Sequence, residues 1–422
     1  MADNLILITY KFVLVLVFLY IVVNFRKIRA FNFLIILLFI FFGPAFFSSN
    51  VYIDDAFYTE CICLSLTWTF LFLGKLLSDD MLAKWRKKKS TIEPRAIRKN
   101  VVWIFVIFFS IILFLSLFVY GGLNSLKIIR GAADGLTPSD LKTLRFEGGP
   151  QGWIKPFYAY VSGFTGPVSL FALYSVSDGK NSVFAKVIVF SFVALILLSG
   201  IATLHKSIAF FYLLQLGFWA FLRKNPKWEL NTKHIIWFIV LTLGVLLPFY
   251  LLLTSASDAS EALGFLTFRV TEEPNRVLRE YFIWWPKYLD HTLGTNIRVV
   301  HSIFGSGTYE PAFVTVIMQN MNPSDYVGGT WPAMFIADAW VDFSYFGVVF
   351  YSLITGFIVN TIDLYLQKNR DGLSVVLFCS LLTSLNTLLE NALITSLISG
   401  GLLLYPLFTM LITKRSKNVG SV

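Results

Sequence analysis

The sequence predicts an all-α polytopic membrane protein with about eleven transmembrane helices, and three observations carry that expectation. Apolar residues make up 56% of the chain and charged residues only 14%, against about a quarter charged in soluble domains. Apolar runs of about 18 residues or more recur along the chain, the length a helix needs to cross a bilayer. Lys and Arg gather in short loops that fall on one side of those runs, the positive-inside pattern.

The expected spans are residues 5–25, 31–49, 57–77, 101–121, 156–176, 183–200, 207–222, 235–253, 336–365, 373–390 and 393–412. Each is read as a helix, because only helices and closed barrels satisfy their backbone in lipid, and these runs are too long and too uniformly apolar for barrel strands. The first run begins near Leu5 with no basic region before it and no small-residue cleavage site after it. It is expected to remain as a permanent span and not to be removed as a signal peptide.

Orientation follows from the loops. Arg26, Lys27 and Arg29 follow the first span; Lys84, Arg86, Lys87, Lys88, Lys89, Arg95, Arg98 and Lys99 follow the third. Arg223, Lys224, Lys227 and Lys233 follow the seventh, Lys368 and Arg370 the ninth, and Lys414, Arg415 and Lys417 close the chain. With eleven spans all of these lie on the cytoplasmic side. The N-terminus is then outside and the C-terminus inside. The whole chain, 1–422, reads as a single integral membrane domain with two long outer segments, 122–155 and 254–335; the second, between spans eight and nine, is expected to be partly helical.

Several function classes are excluded. The net charge of +10 belongs to the loops, so no nucleic-acid partner is implied. Cys61 and Cys63 lie two apart in one apolar run, on different helix faces, and Cys379 in another, so neither a disulfide framework nor a zinc site follows. No metal or other cofactor is implied. The sequence has no phosphate-binding loop with GK[ST], and its longest inner loop, residues 78–100, has no room for a nucleotide-binding domain. Chemistry is therefore expected at the outer face, on substrates that arrive through or within the membrane.

The large outer segment carries the candidate site. It contains the stretch Phe268-Arg-Val-Thr-Glu-Glu-Pro-Asn-Arg-Val-Leu-Arg-Glu-Tyr-Phe-Ile-Trp-Trp-Pro286. A helix is expected to start at Pro274, where a missing N–H costs nothing. Arg276 and Arg279, three apart, then share a face, with Val277, Tyr281 and Trp284 as an apolar stripe beside them. Arg269 is expected to precede the helix and fold back over it, and Glu272 and Glu273 sit near its start. Arg298 and His301 follow, again three apart. Guanidinium groups stay charged and grip phosphate oxygens two at a time, so Arg269, Arg276, Arg279 and Arg298 are candidates to neutralise a lipid diphosphate without a metal. His301 or Glu273 is the candidate to take a proton from a sugar hydroxyl. The plainer alternative is a solvated helix on which Arg276 pairs with Glu280. In the segment 122–155, Arg130 and Arg145, with Lys142 and Lys155 in a Gly-rich run, are candidates to hold an acceptor glycan or a second phosphate. Asp338 and Asp342, one turn apart at the start of a span, are functional candidates by default as acidic residues at membrane depth; the plainer alternative is that they are solvated near the interface.

The second half of the chain resembles the bacterial O-antigen polymerases, which join oligosaccharide repeat units. The residues that carry the resemblance are Arg269…Pro274…Tyr281-Phe282, the segment from Gly328-Gly-Thr-Trp-Pro332 through Asp338 and Asp342 to Phe346-Gly347, and the layout of many spans with one dominant late outer loop. The resemblance implies a fold like membrane glycosyltransferases that use lipid-linked donors. It also implies transfer of a growing glycan from undecaprenyl diphosphate onto the next lipid-linked repeat unit. Its partners would be undecaprenyl diphosphate-linked oligosaccharide, membrane lipid and a chain-length-regulating co-polymerase. Arg269, Arg276 and Arg279 take the outer-loop arginine role by position. An O-antigen ligase shares the layout, and a flippase for the lipid-linked unit is the alternative from another class. Transporters place their sites at mid-membrane in repeated halves, whereas here the charge gathers in one outer loop.

The orientation is tested by cysteine labelling. Lys88 and Lys417 should react only from the cytoplasm, Asp140 and Glu310 only from outside; a cytoplasmic Glu310 would invert the topology and remove the site from the outer face.

Overall fold

The computed structural model of the chain describes residues 2–43, 54–88, 95–125, 150–177, 182–202, 206–253, 258–320 and 333–415. It is mostly helical. Among the described residues six helices are long and apolar enough to cross a membrane: Asp3–Asn24, Asp55–Ala83, Lys99–Val119, Val183–Gly200, Phe335–Lys368 and Gly372–Glu390. They coincide with six of the expected spans, and the chain is a multi-pass, all-α membrane protein. The other five stretches behave differently. Residues 31–49 give a helix of only 13 residues, Ala30–Phe42, with the remainder outside the described residues. Helices Ile154–Ser177, Lys206–Lys224 and Thr232–Leu253 cover three more. The last expected span, 393–412, is not one helix: Leu393–Leu397 ends at Ile398, Gly401 takes a positive φ of 88°, and a second helix runs Leu404–Ile412. The Gly400-Gly401 pair supplies the backbone freedom that an uninterrupted apolar run would not.

The chain divides into two compact units, each built from separated stretches. The first takes residues 1–88, 266–367 and 384–400. In it helix α1 (Ala2–Asn24) turns into α2 (Ala30–Phe42), and α3 (Asp55–Lys88) packs on α1. The turn between α1 and α2 is tied to the far end of the long helix Phe335–Asn369. Asp363 accepts the amide of Ala30 at 3.0 Å, capping the N-terminus of α2, and Gln367 donates to the Ile28 carbonyl at 3.0 Å. The long helix meets α3 backbone to backbone. A Cβ at Gly356 would lie 2.2 Å from the Leu71 carbonyl oxygen, and one at Gly74 would lie 2.2 Å from that of Leu353. This is the small-residue crossing that membrane helices use where no hydrophobic force draws them together. Further along the same interface Ser78 bonds Thr361 at 2.9 Å, and Asn360 donates to Asp79 at 3.0 Å and to the Lys75 carbonyl.

The second unit takes residues 89–265, 368–383 and 401–422. Helix α4 (Lys99–Phe114), continued by a π turn Leu115–Val119, packs against α5 (Ile154–Ser177). Pro167 sits inside α5 and has no N–H for the carbonyl of Gly163, four residues earlier. The hydroxyl of Tyr405 donates to that carbonyl at 2.6 Å, restoring the bond from a separate helix as lipid requires. Two short strands, β1 (Arg95–Ile97) and β2 (Thr413–Arg415), pair antiparallel, Arg95 opposite Arg415.

The helix crossing can be checked by substitution. Gly356→Leu should destabilise the protein in detergent by about 1–3 kcal/mol or more through overpacking, read as a lowered thermal midpoint. Gly163→Ala, where an added Cβ meets nothing within 4 Å, should leave the midpoint in place.

Candidate functional site

The arginine stretch lies on a helix longer than the sequence indicates. Helix α9 (Ala259–Thr267) passes through a π turn, Phe268–Glu272, straight into α10 (Glu273–Trp284). Pro274 is therefore not preceded by free chain. Its missing N–H falls just after the π turn, where the extra residue takes up the break in the hydrogen-bond ladder, and the Asn275 side chain donates to the Thr271 carbonyl at 2.8 Å. Arg269 is thus inside this helix and does not fold back over it. Its Nη1 donates to both carboxylate oxygens of Glu273, one turn on. Glu273 is buried and Arg269 half exposed.

One face of α10 is buried: Val277, Leu278, Tyr281, Phe282 and, just beyond, Trp285. Val277 and Tyr281 of the expected apolar stripe are there, Trp284 is half-buried, and Leu278 and Phe282 widen the face. Burial, and secondarily the Asp338 carboxylate, push the Tyr281 hydroxyl well above the usual phenol range. The same side of the helix is bound to the end of α2 and the start of α3. Asn275 Nδ2 donates to the Phe41 carbonyl at 2.8 Å, an orphan acceptor in the last turn of α2. One turn later Arg279 Nε donates to Glu60 Oε2 at 2.5 Å, and its guanidinium lies over the Phe57 ring, 4.9 Å from the centroid. Glu60 sits in the second turn of α3, whose start is capped by Asp54 through the Phe57 amide at 2.8 Å. Only 4% of the Glu60 side chain is exposed and 19% of Arg279, whereas Arg276 is exposed. Arg269 also lies within electrostatic reach of Glu390, which accepts a bond from Asn386 at 3.0 Å.

Arg298 and His301 belong to a separate group. They lie on helix α11 (Arg298–Phe304). The His301 ring stands edge-on to Tyr309, centroids 5.3 Å apart, and its Nε2 is 3.3 Å from the Gly307 carbonyl. Arg298 is exposed and acts electrostatically on Tyr309. The Tyr309 hydroxyl is held above the usual phenol range by burial first and Asp338 second, with Arg298 opposing. Among the described residues His301 contacts its own loop and none of Arg269, Arg276 and Arg279. The two candidate proton acceptors are thus engaged elsewhere, Glu273 with Arg269 and His301 with its loop. Arg130, Arg145, Lys142, Gly328 and Trp331 lie outside the described residues.

Asp338 and Asp342 are not solvated interface residues. Asp342 is fully buried, and Asp338 accepts a 2.5 Å bond from the Asn296 side chain. Thr292 Oγ1 donates to Asp342 at 2.6 Å, the Tyr351 hydroxyl donates to it at 3.4 Å, and the amides of Thr292 and Leu293 bond the carbonyls of Val341 and Asp342. What covers them is the stretch 291–297, folded onto the first turns of the helix Phe335–Asn369 with Gly294 at φ +94°. Trp340 Nε1 completes the clamp by donating to the Trp285 carbonyl at 3.0 Å. This helix is itself broken at Phe343 and Ser344. Ser344 has φ 56° and ψ −144°, a conformation other residues leave to glycine. The break brings the Ala339 carbonyl to within 2.0 Å of where a Cβ on Gly347 would stand, so only glycine fits there.

Sequence reasoning passed over Glu60, Asn275 and Asn296. Glu60 had a signal, since a carboxylate inside an expected span is a functional candidate by default. Asn275 and Asn296 had none; their partners are distant in sequence. Among the described residues no group of three or more His, Cys, Asp or Glu is placed to hold a metal ion.

Asn296 joins three elements: besides Asp338 it accepts the Ala312 amide at 2.9 Å through Oδ1, and its carbonyl accepts from Tyr309 at 2.8 Å. Asn296→Ala leaves a buried carboxylate oxygen and a buried amide unsatisfied, which costs about 1–3 kcal/mol each. Amide hydrogen exchange at residues 291–297 and 312–316 should speed up by at least tenfold, with exchange in α1 unchanged.

No protein-family profile, no characterised protein and no solved structure matches this chain.

Proposed function

We propose that the chain is a polysaccharide polymerase, a glycosyltransferase that uses a lipid-linked donor. In this reading it sits in the bacterial inner membrane and crosses it eleven times, with a periplasmic N-terminus and a cytoplasmic C-terminus. It transfers a growing glycan from undecaprenyl diphosphate to the next lipid-linked repeat unit in the synthesis of O-antigen or a related surface polysaccharide.

The observation that supports this is the docking of the arginine helix. Asn275 and Arg279 fix α10 at the C-terminal end of α2 and in the second turn of α3. Glu60 is five residues from the start of α3, about 7–8 Å along the axis. In this reading the cationic helix lies near the depth of the lipid headgroups. Arg276 is exposed and Arg269 half exposed.

The chemistry such a site performs is stabilisation of the leaving group. As the bond from the anomeric carbon to the phosphate oxygen breaks, negative charge grows on the diphosphate. Donors aimed at it lower the barrier more than they tighten ground-state binding.

Arg269→Ala, Arg276→Ala and Arg279→Ala should each leave the protein in the membrane and reduce chain growth about 10²–10³-fold, so that cells display glycan capped by single repeat units. Lys should rescue poorly, because it keeps the charge and loses the planar fork. Failure of repeat units to reach the surface would instead indicate a flippase, and lipid-linked polymer left untransferred would indicate a ligase. Full-length polymer at normal levels in all three variants would remove the arginines from the site. Activity of the purified protein on a lipid-linked repeat unit should survive EDTA; strict dependence on added magnesium or manganese would count against neutralisation by arginine.

A further inference from the structure

Arg279 is restrained in a way that the half-exposed Arg269 is not. A guanidinium has five N–H donors in a rigid plane. At Arg279 the Nε–H goes to Glu60 and the flat face rests on Phe57. Phe57 and Glu60 are three apart on α3 and share a face there, so one helix supplies both restraints. The capped start of α3 and the Asn275 bond to α2 fix the backbones on either side. The Nη edge of Arg279, which carries the pair of parallel N–H groups suited to two oxygens of one anion, has no partner among the described residues.

We infer that Glu60 and Phe57 are positioning residues that hold the Arg279 guanidinium by one edge and one face so that its Nη edge takes the diphosphate of the lipid-linked substrate while the pair with Glu60 stays intact. The inference rests on the reading of the chain as an enzyme for lipid diphosphates and names the residues that prepare that site. Glu60 offsets part of the charge on Arg279 that would attract the anion. What Glu60 contributes is orientation. A long side chain that is already fixed gives up little freedom when the phosphate arrives.

The test is a double-mutant cycle on binding of undecaprenyl diphosphate, without sugar, to the full chain in nanodiscs. Arg279→Ala should weaken binding about tenfold or more, the size expected for a hydrogen bond to a charged group. In a Glu60→Ala background the same substitution should weaken it less than about threefold, because an unheld arginine contributes little; the difference is the coupling between the two residues. Phe57→Leu should shrink the Arg279 effect in the same direction, and Phe57→Tyr should preserve it. A purely structural Glu60 would lower stability yet leave the Arg279 effect at its full size, and that result would overturn the proposal, as would an Arg279→Ala variant that binds like the native chain. Should Glu60→Ala fail to fold, Glu60→Gln keeps an oxygen acceptor at the same place and carries the comparison with a smaller shrinkage. Polymerisation by the same preparations is scored separately. A chain that shows the coupling and never extends a glycan refutes the polymerase reading and leaves the positioning of Arg279 in place.

Discussion

In a bilayer, every backbone N–H and C=O that a helix leaves unpaired must be answered by another part of the protein. That constraint organises this chain more than its hydrophobic residues do, because lipid is as apolar as leucine and gives helices no reason to meet. Several of the bonds that join distant parts of the sequence serve backbone groups at helix ends, turns and breaks. Asp363 answers the amide that opens α2, Asn275 a carbonyl in its last turn, Gln367 a carbonyl in the turn before it, and Tyr405 the carbonyl stranded by Pro167. Each of these side chains sits where a helix begins, ends or is interrupted. A polar residue in an apolar run is therefore first a clue to a backbone defect somewhere else.

The same constraint shapes the region around the broken helix Phe335–Asn369. A break at Phe343 and Ser344 frees backbone groups among apolar surroundings, and the stretch 291–297 lies against the turn before the break with its own amides on the Val341 and Asp342 carbonyls. Asp338 and Asp342 then bind the side chains of that stretch. Trp340 contacts Phe282, His291 and Tyr345 by ring edges and the Trp285 carbonyl by its N–H. The stretch 291–297 and the helix Phe335–Asn369 are consequently one structure here. Arg298 and His301 follow that stretch on the short helix α11.

How much of this was legible in the sequence depends on how far apart the interacting residues are. Patterns confined to one helix were readable. Apolar runs gave the six helices long and apolar enough to cross a membrane, and the spacing of Val277 and Tyr281 gave the buried side of α10. Local breaks were half readable: Pro274 announced a helix boundary, but the π turn that lets the helix continue through it depends on Thr271 and Asn275 together. Pairings across hundreds of residues were not readable at all. Glu60 and Arg279 are 219 positions apart, and Ala30 and Asp363 are 333 apart. Whether Asp338 and Asp342 are solvated or covered was not readable for the same reason. They precede an apolar run, and nothing nearby in sequence announces that residues 291–297 will cover them.

The two ion pairs of the arginine helix differ in what they cost. Arg269 with Glu273 is a one-turn pair with an exposed cation, of a kind that contributes little to stability. Arg279 with Glu60 is withdrawn from solvent on both sides. Desolvating two such charges can cancel their attraction, and well-packed apolar residues of the same volume often serve stability equally well. Stability alone is thus a weak reason for a carboxylate in the second turn of α3. An apolar pair in its place would fill the space, but it would leave no cation fixed at the mouth of the membrane helices. It would also remove the bond that aligns α10 with α3 at the point where Asn275 aligns it with α2. The alignment of the arginine helix on α2 and α3 therefore depends in part on one buried charge that the apolar run around it does not require.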